Sequence, residues 1–186
     1  NYSICESRKV LQETGVRAAI FPNEPAKQCW RRLINTLTSI ILATDMTRHF
    51  DILGEFIALV LEDPVLENES SGEKWKKMNS EQKLVTLQMA FKVADIGHNS
   101  LPFELSKLWV ERLEQEYFQQ GDLELREGMQ ISALMNRRKP GLLSSHAQVG
   151  FFEVIVIPLF EAWTKVFPEC RCLHEQMMKN YQSWRA

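Results

Sequence analysis

Trp30, Leu33, Ile34, Leu37 and Ile41, with Thr44 after them, fall at positions i, i+3, i+4, i+7, i+11 and i+14. That is the period of one face of an α-helix, and an alternating strand does not produce it. The same period returns in Leu84, Leu87, Phe91 and Ala94, where Asp95 continues the stripe, and again in Leu105, Leu108, Trp109 and Leu113. From about 147 to 167 the chain is apolar almost all round, through Phe151, Phe152, Val154, Ile155, Leu159, Phe160 and Trp163, which predicts a central, buried helix. No paired alternating segments and no internal repeat interrupt this pattern. The expected fold is all-α, a compact multi-helix domain of about seven helices.

Breakers and caps divide these segments. Pro25 is placed to open the first long helix, and Asp51 to cap one running to Leu61. Residues 63–79 are rich in Pro, Glu, Asn, Ser, Gly and Lys and read as an exposed connection. Ser80 reads as the N-cap of the helix that Gly97 halts, and Pro102 as the start of one ending at Gly121, with a short helix at 122–129. Residues 136–145 read as a loop, Pro158 as a kink in the buried helix, and 169–184 as a last amphipathic helix.

The composition excludes several classes of function. Of 186 residues 45% are hydrophobic and 25% charged, as in an ordinary globular domain able to build a core without staples, and one domain is expected. Net charge is −2, and the longest basic cluster is Arg137, Arg138 and Lys139, so the electrostatic footprint of a nucleic-acid binder is missing. Cys5, Cys29, Cys170 and Cys172 form no CxxC pair or zinc-type spacing, which fits a reducing, intracellular and cytoplasmic setting. No apolar run reaches the roughly 18 residues of a spanning helix, and the first residues lack the pattern of a signal peptide.

Asp95 carries the clearest chemical signal. On a core-facing stripe and in the last turn of its helix, its carboxylate is opposed both by burial and by the helix dipole. A cation, a set of donors or a proton would answer both, and a metal ion is one such answer beside the plainer one of an arginine partner or a turn cap. Gln148 and Phe151 stand at i and i+3 on the opening turn of the buried helix and share a face. An amide with donor and acceptor, one turn from an aromatic ring, suits the edge and face of a planar base. The same spacing equally describes a core phenylalanine and a glutamine bonded to backbone. Leu113 and Trp109 read as packing residues, and Thr44, Asp45 and His49 as a polar side of the first long helix. His49, His98, His146 and His174 show no HxxxH or HExxH spacing.

The segments ILATDMTRH at 41–49, VADIGHNS at 93–100, EYFQQGDLE at 116–124 and AQVGFF at 147–152 resemble, in order and spacing, successive landmarks of the class I 3′,5′-cyclic nucleotide phosphodiesterases. The resemblance covers nearly the whole chain. It implies that Asp95 completes a binuclear site of two divalent ions, zinc with magnesium or manganese. It implies that Gln148 binds the purine edge, that Phe151 stacks on the ring with Leu113 opposite, and that Thr44 and Met46 lie close to the pocket. His98 falls where relatives differ in nucleotide preference, which leaves cyclic AMP and cyclic GMP both open. The implied reaction is attack of a metal-bridging hydroxide on the cyclic phosphate, with a histidine protonating O3′.

The departures bear equally on function. The family's HDxxHxGxxN signature and its general-acid histidine normally lie upstream of the first residue, and no segment of this chain replaces them. The expectation is therefore the C-terminal part of a catalytic domain without its N-terminal helices, inactive alone, in a protein with room for regulatory domains. The competing expectation is a degenerate helical module that binds a nucleotide or a protein without hydrolysing anything.

Overall fold

A computed structural model describes residues 2–13, 15, 19 and 26–186, and among these residues every regular element is helical, with no strand. The helices are α1 (Tyr2–Glu13), α2 (Ala26–Leu42), α3 (His49–Phe56, continued by a π turn at Ile57–Leu61), α4 (Ser71–Lys77), α5 (Ser80–Asp95), α6 (Phe103–Arg126), α7 and α8 (Arg171–Arg185). The seventh, α7, joins Ser145–Phe151 and Ile157–Val166 through a π turn at Phe152–Val156. The helix beyond the expected number is α4, inside the stretch read as a connection, where the Ser70 hydroxyl accepts from Glu73 N. Pro25 lies outside the described residues. Thr44 sits in the turn after α2, and Asp51 in the first turn of α3, not at its cap.

The chain divides into two compact units, residues 1–94 and 95–186. In the first, Ile52, Leu53, Phe56, Val60, Leu66, Met78, Val85 and Met89 form the core. The start of α5 is set by Asn79, one residue before the expected cap. Asn79 Oδ1 accepts from Glu81 N and Gln82 N, each at 2.9 Å, while Gln82 Oε1 accepts from Asn79 N at 2.8 Å. That reciprocal pair is a capping box with Asn and Gln in its two places.

The expected core face of α5 is a misreading. Leu87 and Phe91 are 37% and 44% exposed, and Ala94 and Asp95 are exposed as well. The buried residues are Gln82, Val85, Thr86, Gln88, Met89, Lys92 and Val93. The physical reason is that each buried polar group finds a partner. Gln82 Nε2 donates to Leu59 O and Asp63, Gln88 Nε2 donates to Ser39 Oγ at 2.9 Å, and Lys92 Nζ donates to Ala43 O at 3.0 Å. A satisfied polar group can be buried at little net cost, and a hydropathy period cannot register the partner that makes this so.

In the second unit α6 does not stop at Gly121. A Cβ there would overlap the carbonyl of Met135, so this glycine serves a close approach between backbones. The helix takes in most of the short one expected after it, runs to Arg126, and is closed by Gly128, whose φ is +71°. Gly128 N donates to Leu125 O and Met129 N to Glu124 O, the bonding of a Schellman motif. In α7 a π turn, Phe152–Val156, stands just ahead of the proline expected to kink the helix. Pro158 has no N–H to offer Val154 O, and Ile157 N donates to Phe152 O. Phe152, Val156, Leu159, Phe160 and Val166 fill the core, while Val154 is 54% exposed, so the helix is buried along one side and not all round.

Candidate functional site

The opening turn of α7 is built from its cap outward. Ser144 Oγ accepts from Ala147 N at 3.3 Å and donates to Gly141 O at 2.8 Å, so helix start and preceding loop close on each other. One turn on, Gln148 is 4% exposed. Its Nε2 donates to Leu142 O at 2.8 Å, and its Oε1 is buried with no hydrogen-bond partner among the described residues. Rotating the amide would set Oε1 against a carbonyl oxygen, so the Leu142 bond fixes which atom is left over. Phe151, half-buried, follows on the same face.

Two buried glutamates of α6 hold residues 129–144. Glu114 Oε2 accepts from Leu143 N at 2.8 Å. Glu124 Oε2 accepts from Ser132 N at 2.7 Å, and its Oε1 from Ser132 Oγ and Gln120 Nε2. Those bonds, that to Ser132 N foremost, hold the Glu124 carboxyl below the usual range. Arg137 adds a pair with Asp122 and lies over the Phe118 ring. Leu113, 37% exposed, immediately precedes Glu114, so the bonds of one turn of α6 run from beside Leu113 through Leu143 and Leu142 to Gln148.

His98 lies on the 3-10 turn Gly97–Ser100. Burial holds its imidazole below the ordinary histidine range, so the ring is neutral near pH 7. Asn180 of α8, fully buried, anchors that turn by donating Nδ2 to Asn99 O at 2.8 Å and Leu101 O at 2.7 Å. The opening turn of α7 also packs on α8, where Phe152 stacks on Tyr181 and Tyr181 Oη donates to Glu153 Oε1. One helix thus backs both the His98 turn and the segment carrying Gln148.

The remaining expected residues are placed as follows. Asp95 is the exposed last residue of α5; burial does not oppose its charge, while its place in the last turn sets it against the helix dipole. Thr44 Oγ1 donates to Ile41 O at 2.8 Å, and Met46 is 43% exposed; both belong to the first unit. Among the described residues no group of three or more His, Cys, Asp or Glu is gathered to hold a metal ion. Sequence reading passed over Glu114, Glu124 and Asn180. An acidic residue at the period of a helix's inner side is a faint signal for the glutamates, and nothing local announces Asn180, whose partner lies 81 positions away.

The family model described as 3′5′-cyclic nucleotide phosphodiesterase matches residues 1–177. The mouse high affinity cGMP-specific 3′,5′-cyclic phosphodiesterase 9A is 32% identical over 149 residues, which are 80% of this chain and 25% of that protein. The probable 3′,5′-cyclic-AMP phosphodiesterase pde-4 of Caenorhabditis elegans is 34% identical over 148 residues, 79% of this chain and 21% of that protein. The chain therefore spans a quarter or less of the length of these relatives. The solved structure of LmjPDEB1 in complex with IBMX superposes with a TM-score of 0.72 at 24% identity, over 86% of this chain and 44% of that one, which speaks for the fold. With a family match over nearly all of its length and helices in the same arrangement, the chain belongs to the 3′,5′-cyclic nucleotide phosphodiesterases.

Proposed function

We propose that this chain serves the hydrolysis of 3′,5′-cyclic nucleotides to nucleoside 5′-monophosphates, and that residues 95–186 recognise the purine. The carrying observation is Gln148. Its buried Oε1 lacks a partner among the described residues, and such an acceptor is costly unless something donates to it. A purine N–H is a suitable donor, and both adenine and guanine have one. Phe151, one turn on, offers a ring face, with Leu113 as the aliphatic wall opposite. In the reaction the oxygen of water bonds to phosphorus, the bond from phosphorus to O3′ breaks, and a proton goes to O3′.

Measured in the full-length protein, Gln148→Ala should raise KM about tenfold or more, the loss of one or two neutral hydrogen bonds, and leave kcat within about threefold. An unchanged KM would remove the purine role from this residue.

The family implies two divalent ions. The described residues do not fit such a centre by themselves, since Asp95 stands as one exposed carboxylate without a cluster of further ligands around it. We assign Asp95 to that centre as a single ligand and place the remaining ligands, and the general acid, outside residues 1–186; taken alone, these residues then turn over no substrate. In the full-length protein Asp95→Ala should lower kcat/KM by about 100-fold or more. Wild-type rates in that variant would contradict the assignment.

A further inference from the structure

We propose that Glu114 is a positioning residue for base recognition, acting through Leu143 and Leu142 on the amide of Gln148. The inference rests on the reading that Gln148 meets the purine.

Glu114 is 8% exposed and lies on the inner side of α6, where an uncharged leucine would avoid the cost of burying a carboxylate. What the carboxylate supplies and a leucine would not is direction. Its Oε2 takes the Leu143 N–H at 2.8 Å and so fixes the peptide unit whose carbonyl belongs to Leu142. That carbonyl, Leu142 O, accepts the Gln148 Nε2. The approach is close enough that a Cβ at position 141 would overlap Glu114 Oε2 and the Phe118 ring, so Gly141 is the residue that lets the loop reach the carboxylate. Behind it, Ser144 bonds both Gly141 O and Ala147 N, and Gln148 N donates to Ser144 O at 3.0 Å. Residues 141–148 form one bonded unit, attached to α6 through Glu114. Without that attachment Leu142 O can drift, and the Gln148 amide loses the bond that selects its orientation.

Glu114 touches the loop and not the phosphate, so its effect falls on substrate affinity and not on the chemical step. The test uses the full-length protein, with kcat and KM for cyclic AMP and cyclic GMP measured in Glu114→Leu, Glu114→Gln, Gly141→Ala and Gln148→Ala. Glu114→Leu is expected to raise KM about tenfold with kcat within about twofold. Glu114→Gln, whose amide oxygen can still accept the Leu143 N–H, should stay within about threefold of wild type. Gly141→Ala leaves the carboxylate in place but pushes the loop off it, and should follow the leucine variant even if that variant fails to accumulate. A raised KM in Gln148→Ala beside an unchanged KM in both Glu114→Leu and Gly141→Ala would overturn the positioning role and leave base recognition standing. So would a fall in active fraction at constant KM, the signature of a merely structural residue. An unchanged KM in Gln148→Ala would overturn base recognition and this inference together.

Discussion

His49 begins α3 with its ring 1% exposed, edge-on to Phe50 at 5.1 Å, and its Nε2 without a hydrogen-bond partner among the described residues. Burial first, and the positive charge of Lys92 second, lower its pKa to about 4 from 6.5. The folded state thus keeps His49 neutral where the unfolded chain would bind a proton. Its contribution to stability is complete above pH 6.5 and is lost as pH falls toward 4, a change of a few kcal/mol at most. Asp45 and Glu124, both lowered by hydrogen bonds, act in a lower window: their contributions persist above their unfolded values of 3.8 and 4.5 and fade only below these. Urea midpoints should therefore decline between pH 7 and pH 5 in the wild type, and the decline should flatten in His49→Leu. An equal slope in that variant would show that another group carries the acid sensitivity.

At the scale of elements, hydrogen bonds between distant segments decide the placement of the site. Asn180→Ala would leave Asn99 O, buried, and Leu101 O, part-buried, without their donor, at a cost of about 1–3 kcal/mol for each that water cannot reach. Chemical denaturation should show a loss of roughly 2 kcal/mol or more, and a loss below about 0.5 kcal/mol would mean the turn is held by other contacts. The same bonds explain what the sequence could and could not disclose. The helical period of α2 and of α7 was legible because their apolar residues recur on one side, half-buried in α2 and fully buried in α7, and Pro158 was legible because a missing N–H has a local consequence. The inner face of α5 was not, because Gln82, Gln88 and Lys92 are buried by virtue of partners that lie far along the chain. Gly121 was misread as a stop because its role is to admit Met135, a contact visible only once the loop is folded against α6. Gln148 and Phe151 were legible as a pair on one face, but the Leu142 bond that singles out Oε1 was not.

For the molecule as a whole, family membership rests on a match over residues 1–177, and the chain folds as two compact units. Residues 95–186 carry Gln148, Phe151, Leu113 and His98 on α6, α7 and the turn backed by α8, and Asp95 is the unit's first residue. No helix among the described residues is long and apolar enough to cross a membrane, and Cys5, Cys29, Cys170 and Cys172 are all free thiols. The central claim is that this unit reads the base. Its most direct test is a crystal structure of the full-length protein with a nucleoside 5′-monophosphate bound. The account predicts the purine stacked on Phe151, with Leu113 on its other face and a ring or amino N–H donated to Gln148 Oε1; a base bound away from Gln148, with that oxygen still unpaired, would contradict it.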